Sequence, residues 1–462
     1  MLALLLAFVL VQLGVGLWAS RRIGTEDDYL VAGRRLGPWL AASSIFATWF
    51  GAESCIGAAG NAYTHGLAWD TTEPFAYGLC LVGMGLFFAA RMHRAQVTTL
   101  ADFVAQRFGS GPERLAAILL LPSSLLWAAA QVRAFGHVVA SNADGMISES
   151  AATWLAAAVA IVYTVSGGLL ADVYTDVVQG ILLLLGLAIL GYVVWQQVPA
   201  PETASNMASA AVGVASEPLD LLSVVEAWAI PICGSIVAQE ALSRCLAART
   251  PSIARRAALA GGAVYLVVGL VPLSIGVVGP RIAPGLADPE TLLPHLSGTL
   301  LPTALNLVFA GALISAILST VDSCLLVAAS IVVRNLAPRS PVGTSERKRI
   351  AFARLAAATA GCVALGLALS RWNVKELVEQ ASGFGSAGVF VIAVFGSYSR
   401  IGGPLAAIGS LAGGLGAWVL GGYVFVEHVQ YPYLVSLATA LSGFAIGATL
   451  DRFRSGSRAL PA

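Results

Sequence analysis

The sequence predicts an all-α polytopic membrane protein of about 13 transmembrane helices, two five-helix units of which form an inverted repeat. Three observations lead there. First, 57% of the 462 residues are hydrophobic and only 11% are charged, against about 25% charged in a soluble domain. Second, apolar runs of about 20 residues, the length that crosses a bilayer as a helix, recur along the whole chain. Third, two of these runs are interrupted: the second by GAESCIGAAG (Gly51 to Gly60) and the seventh by PICGS (Pro231 to Ser235). Irregular backbone at membrane depth is tolerated only where it lines a cavity or holds something. Paired breaks in corresponding positions of two halves mark the binding region of an inverted-repeat transporter. The alternative is glycine used only for close helix packing; Glu53, inside the first break, weighs toward a site.

Taken in order, the spans cover roughly 1–19, 37–62, 72–91, 115–141, 150–168, 172–195, 222–245, 255–279, 299–335, 350–370, 376–398, 402–422 and 431–450. Residues 1–36 hold the first helix and a loop, 37–200 the first repeat, 201–400 the second, and 401–462 two accessory helices and a basic tail. An odd number of spans per repeat gives the halves the opposite topologies that inversion requires. The first run lacks a basic leading region and is followed by Arg21 and Arg22, as a retained first helix would be. With the N-terminus outside and the C-terminus cytoplasmic, nearly all of the 26 basic residues, Arg244 among them, fall on the cytoplasmic side. Only Arg281, Arg371 and Lys375 fall outside, and Arg133 lies within a span. The acidic segment Gln196 to Pro218 is external, and the external segment Arg281 to Ser297 is expected to be partly helical.

The six cysteines all lie in apolar runs without paired spacing, so they read as buried small residues. No HExxH and no nucleophile–base pair occurs, and no loop is long enough for a catalytic domain. The chain therefore does not read as an enzyme.

The ninth run, AGALISAILSTVDSCLLVAASIVVRN (Ala310 to Asn335), is almost wholly apolar yet carries Ser315, Ser319, Thr320, Asp322 and Ser323 at its centre. On a helix Ala316, Ser319, Thr320 and Ser323 share one face, with Asp322 beside it. A carboxylate at bilayer depth costs about 2.5–3.5 kcal/mol even on lenient scales. Hydroxyls and an acid on one stripe form an oxygen cage suited to a hard cation such as sodium. The alternative is hydroxyls bonded back to carbonyls one turn earlier.

YTVSGGLLADVYTDVVQG (Tyr163 to Gly180) and LISAILSTVDSCLLVAAS (Leu313 to Ser330) resemble hallmark stretches of the sodium/solute symporter family. ATWFGAESCIGAAGNAYTHGLAW (Ala47 to Trp69), LLWAAAQ (Leu125 to Gln131), VTTLADFVAQRFG (Val97 to Gly109) and ADPETLLPHL (Ala287 to Leu296) are most similar to its high-affinity choline transporter branch. The resemblance implies a five-plus-five inverted repeat and a sodium site between the second and ninth spans. Its ligands would be the carbonyls of Ala47, Phe50 and Ala316 and the hydroxyls of Ser319 and Thr320. A second cation site is implied near Asp176, with Asp322 and Ser323 as neighbours; otherwise these acids are structural or exchange protons.

The solute is expected beside the breaks, at Trp49, Glu53, Ser54, Glu73, Trp127, Arg133, Gly234, Ser235 and Gln239. Trp49 and Trp127 match tryptophans of the choline branch, whose rings would cage a quaternary ammonium; where that branch has a third, Ala238 stands here. Trp154 and Trp195 read instead as packing or interfacial residues. Arg133 within a span needs an anionic partner or a wet cavity. It either meets a solute carboxylate, pairs with Glu53, Glu73 or Asp144, or reaches the outer surface. The expectation is a sodium-coupled symporter of the cell membrane that imports a small zwitterionic or carboxylate-bearing solute (amino acid, betaine or similar) by alternating access. Choline uptake, proton coupling through Asp176 or Asp322, and a non-transporting sensor are the alternatives. The expected partners are the solute, Na+ and the lipid bilayer; nothing points to nucleic acid or an obligate protein partner.

Overall fold

The computed structural model describes residues 10–11, 14, 18, 21, 23–142, 146–198, 220–338, 344–370 and 372–457. The described residues form helices without a named strand, apart from one isolated bridge between Leu36 and Ala248. The expected first span, the acidic segment after Val198, and Asp144, Arg22 and Arg371 lie wholly or mostly outside the described residues.

A short helix α1 (Glu26–Val31), closed by a Thr25/Asp28 capping box, precedes the second span. That span is two pieces, α2 (Pro38–Trp49) and α3 (Ala58–His65), separated by Phe50–Ala52 and a π-helical stretch Glu53–Gly57. The third span is α4 (Phe75–Gly83), a π stretch, and α5 (Ala89–Arg94). Next come the amphipathic α6 (Leu100–Phe108) and the long α7 (Ser110–Ser141). The fifth and sixth spans run together as α8 (Glu149–Gln197), turned at Gly168, where φ is +57°. That left-handed geometry favours glycine, and a Cβ there would stand 2.5 Å from the Tyr29 ring of α1.

The seventh span is α9 (Leu221–Ser235) and α10 (Gln239–Ala247). The break comes later than the sequence suggests. Pro231 lies inside α9, and the chain leaves the helix only at Ile236–Ala238, where Ala238 has ψ 130°. A proline removes one helical bond, which neighbouring helices compensate. Then follow α11 (Pro251–Ile282), the short α12 (Leu292–Leu300), α13 (Thr303–Ile331) and α14 (Glu346–Ala368). The eleventh span is also broken: α15 (Val374–Gly383) and α16 (Ser386–Tyr398) meet at 43°, a bend the sequence reading did not anticipate. α17 (Pro404–Val419) and α18 (Pro432–Ser457) pack on each other at the end of the chain.

Among the described residues nine helices are long and apolar enough to cross a membrane, ten if the bent α15–α16 pair is one span. One of the nine is the 49-residue α8. The count of thirteen is therefore not established by these residues.

Every residue of α13 from Phe309 to Ile331 is buried, against α8, α7, α14 and α2. A helix apolar all round belongs at a core, and α13 is that core. Large apolar side chains elsewhere face outward, among them Trp154, Val178, Ile181 and Leu185 of α8, as a lipid-facing surface requires. All six cysteines are free; Cys362 is exposed and Cys233 half-buried, so not all are interior as expected. Cys233 packs beside Trp418 and Tyr433, between helices of the second half.

Basic side chains gather at one end and bind across elements there. Arg34 donates to the carbonyls of Leu246 and Val97, and Arg107 to those of Ser399, Ile401 and Gly402. Arg334 lies 3.8 Å from Glu26 and Arg349 also 3.8 Å from Glu26.

Candidate functional site

The break in the second span is pinned from two sides. α2 ends at Trp49 because Phe50 takes φ −87°, ψ 71°. A helix that ends leaves its last carbonyls without helical partners. The Phe50 amide takes the Phe46 carbonyl at 2.8 Å, and the Thr320 hydroxyl donates to the Thr48 carbonyl at 2.9 Å. The Ala52 amide donates to Gln131 Oε1 of α7 at 2.8 Å. Gly51 lies between these two anchors: a Cβ there would come within 2.8 Å of Thr320 Oγ1 and 2.7 Å of Gln131 Oε1. Only glycine lets α13 and α7 approach the break this closely.

Of the five residues expected to hold sodium, Thr320 meets the end of α2 through the Thr48 carbonyl; Ala47 and Phe50 lie at that end of α2, and Ala316 and Ser319 share the face of α13 with Thr320. Thr320 also bonds back to the Ala316 carbonyl at 3.2 Å, the local bond open to any helical threonine. Its contact with Thr48 is the one that joins two spans. Ser319 donates to one oxygen of the Asp176 carboxylate, and Ser44 of α2 donates to the other.

Behind this joint lies a buried ion cluster. Arg244 of α10 is fully buried. It donates to the Asp172 carboxylate and to the Ser323 hydroxyl, and lies 4.0 Å from Asp176 Oδ2. The sequence reading placed Arg244 at the cytoplasmic surface; the structure places it in the core, paired, as a charge at that depth must be. Ser323 donates in turn to the Ser319 carbonyl at 2.7 Å and faces Thr48 Oγ1 at 3.3 Å. Asp322 is fully buried near Thr164 and Asp172, with no hydrogen bond of ordinary geometry to either carboxylate oxygen.

Asp172, Arg244, Ser44, Thr48 and Gln131 were not singled out from sequence. Asp172 had a signal: it precedes Asp176 by four residues and shares its helix face. Arg244 had none, since an arginine near a helix end reads as a surface charge.

The solute candidates divide into two groups around the breaks. Trp49 and Trp127 lie with ring centroids 5.0 Å apart, and Tyr77 meets Trp127 edge-on at 6.4 Å. Ser54 Oγ lies 2.5 Å from the Tyr265 hydroxyl, which donates to the Glu73 carboxylate at 2.7 and 2.8 Å. Glu53 is buried beside them. On the other side, Trp127, Gly234, Ser235 and Gln239 line a narrow cavity with Glu240 and Ser382, the latter at the α15–α16 bend. Ser382 Oγ lies 3.3 Å from both Ser235 Oγ and the Tyr77 hydroxyl, so the breaks of the seventh and eleventh spans meet beside Trp127. The Gln239 amide is engaged, accepting from the Leu100 amide at 2.6 Å and donating to the Thr98 carbonyl at 3.1 Å. It holds the start of α6.

Arg133 stands apart. It donates to the carbonyls of Ala368, the last residue of α14, and of Ser370 just beyond it, at 3.2 and 2.9 Å, and lies 3.9 Å from Glu149. Neither Glu53 nor Glu73 pairs with it. The guanidinium satisfies a helix C-terminus, where a positive charge is favoured.

The model of the sodium:solute symporter family matches residues 29–415. The chain belongs to that family. The chain is 29% identical over 353 residues to a Drosophila melanogaster protein named high-affinity choline transporter 1, covering 71% of this chain and 55% of that one. It is 28% identical over 410 residues to the Homo sapiens high affinity choline transporter 1, covering 81% of this chain and 68% of that one. The chain thus spans little more than half the length of the fly relative. A Haemophilus influenzae sodium/pantothenate symporter is 25% identical, with 92% of this chain and 91% of that one covered. Among solved structures, a Na+-coupled sialic acid symporter in a substrate-bound outward-open state superposes with a TM-score of 0.80 at 20% identity, covering 97% of each chain. Mhp1, of the nucleobase-cation-symport-1 family, does so with 0.65 at 15% identity. These two share the fold. The family is one of transporters rather than enzymes.

Proposed function

We propose that the protein couples inward sodium movement to the import of a small organic solute with a cationic end, such as a choline-like amine, a betaine or an amino acid. Sodium is cargo here, held by the carbonyls of Ala47, Phe50 and Ala316 and the hydroxyls of Ser319 and Thr320. The observation that carries this reading is the joint at Gly51, where the frayed end of α2 meets Thr320 of α13. An ion shared by carbonyls of one element and hydroxyls of the other holds the two together. The broken span also carries Trp49, so sodium and solute then bind with positive coupling. Rocking of one bundle of helices against the other would expose both to the opposite face. Neutral oxygens suit an ion that must also leave.

The cationic end is supported by the Trp49, Trp127 and Tyr77 rings beside the buried Glu53 and Glu73, since aromatic faces attract cations. The names of the choline-transporting relatives agree with it. A solute bearing only a carboxylate loses its main support, because Arg133 is engaged at the end of α14. The test is a thermal-shift screen of purified protein against choline, betaines, amino acids and small carboxylates, each in sodium and in potassium. Stabilisation by an amine or zwitterion that is clearly larger in sodium than in potassium is the expected result. Hits that ignore sodium, or that come only from carboxylates, would overturn the reading.

A further inference from the structure

A second cavity, of about 260 Å³, lies between the outer pieces of the broken spans, on the face away from the basic loops. Its walls come from the π stretch before α3, the loop before α4, α9, α15 and the loop before α18. Four carboxylates line it, those of Glu53, Asp70, Glu226 and Glu379, against one cation, Lys375. Two of the four are answered: Glu226 accepts from the amides of Tyr433 and Leu434 at 2.6 and 2.8 Å, and Glu379 lies 3.6 Å from Lys375. Asp70 has no hydrogen-bonded or ionic partner among the described residues. Glu53, only 8% exposed yet bordering the cavity, has no hydrogen bond or salt bridge among the described residues and shares the single Lys375 charge with Glu379. A buried carboxylate left without a partner is costly, and one aimed into an acidic cavity asks for a cation from outside the chain. Tyr77, a wall of this cavity, also meets Trp127, so the cavity adjoins the tryptophan pair.

We propose that this cavity is a second, outer binding site for a small organic cation, which the solute occupies before it reaches Trp49 and Trp127. The proposal rests on the reading that the solute has a cationic end. The cavity is far larger than a bare metal ion needs, and the Tyr77 ring in its wall suits an alkylammonium. None of its lining residues belongs to the proposed sodium set, so binding here does not require sodium. Acids lining a concave mouth also concentrate cations at it.

The experiment is equilibrium binding of radiolabelled choline to the purified full chain in potassium and in sodium. One equivalent in potassium and a second that appears only in sodium are expected. Lys375→Gln should tighten the potassium-medium equivalent severalfold, a gain that misfolding cannot mimic, and Asp70→Asn should weaken it. The absence of choline binding in potassium, or affinity indifferent to both substitutions, would overturn the proposal. So would displacement of choline by potassium as readily as by tetramethylammonium. A potassium-medium equivalent without any sodium-dependent one would instead overturn the proposed function and leave the outer site standing.

Discussion

Thr320→Ala separates the ion site from the fold. In the folded protein the Thr320 hydroxyl joins α13 to the Thr48 carbonyl at 2.9 Å. Deleting it removes one buried hydrogen bond, worth about 1 kcal/mol net, from a protein with a buried core around α13. That is too little to unfold it. As one of five oxygens around sodium the same hydroxyl is worth more, because interactions with a full charge contribute about 1.5–3 kcal/mol. The apparent sodium affinity should therefore fall about ten- to hundredfold, while thermal stability in potassium changes little. The assay is solute uptake into proteoliposomes as a function of external sodium, with melting followed in sodium and in potassium. Thr320→Ser, which keeps the oxygen, should restore most of the affinity. A sodium half-saturation unchanged in Thr320→Ala would refute the site, and equal loss of stability in both salts would show that the hydroxyl is only structural.

Asp172→Asn leaves Arg244 buried without its closest carboxylate, and stranding a buried charge costs about 3–5 kcal/mol. Yield and melting temperature should drop sharply, and the pair Asp172→Leu with Arg244→Met should recover much of the loss. Gly168→Ala forces a side chain onto φ +57°, ψ −179°, a conformation nearly exclusive to glycine, at about 1–3 kcal/mol, and drives a methyl into the Tyr29 ring; melting should fall by at least that equivalent. Glu290, in the connection before α12, has its carboxyl pushed up to about 7 by burial and by neighbouring Asp288. A raised acid favours the folded state below its ordinary range and loses that advantage as pH rises from about 4.5 to 7. Glu290→Gln should therefore raise the melting temperature at pH 8 relative to pH 5, measured on the same protein in both buffers.

Much of the architecture is legible in the chain because a bilayer imposes it: apolar runs of fixed length must be helices, and their order follows. The stripe Ala316, Ser319, Thr320 and Ser323 is legible too, since helical periodicity alone puts these side chains on one face. So is the break at Gly51, where glycine and an acid interrupt an apolar run. The partners of these residues are not legible. Whether Ser319 meets Asp176, or Gly51 meets Gln131, depends on helices more than 75 residues apart in sequence packing together.

By itself, then, the sequence determined that this is a helical membrane protein of the sodium:solute symporter family with its oxygen-rich stripe on the ninth run. Hydropathy, periodicity and local motifs are properties of neighbouring residues. Only the tertiary structure decided that Arg244 is a core charge held by Asp172, that Arg133 ends a helix away from the tryptophans, and that α15 and α16 bend opposite the break after α9. A charged side chain reads the same in a sequence whether it meets water or a carboxylate. Which one it meets is fixed by the packing of distant helices, where burial makes an unpaired charge too costly to keep.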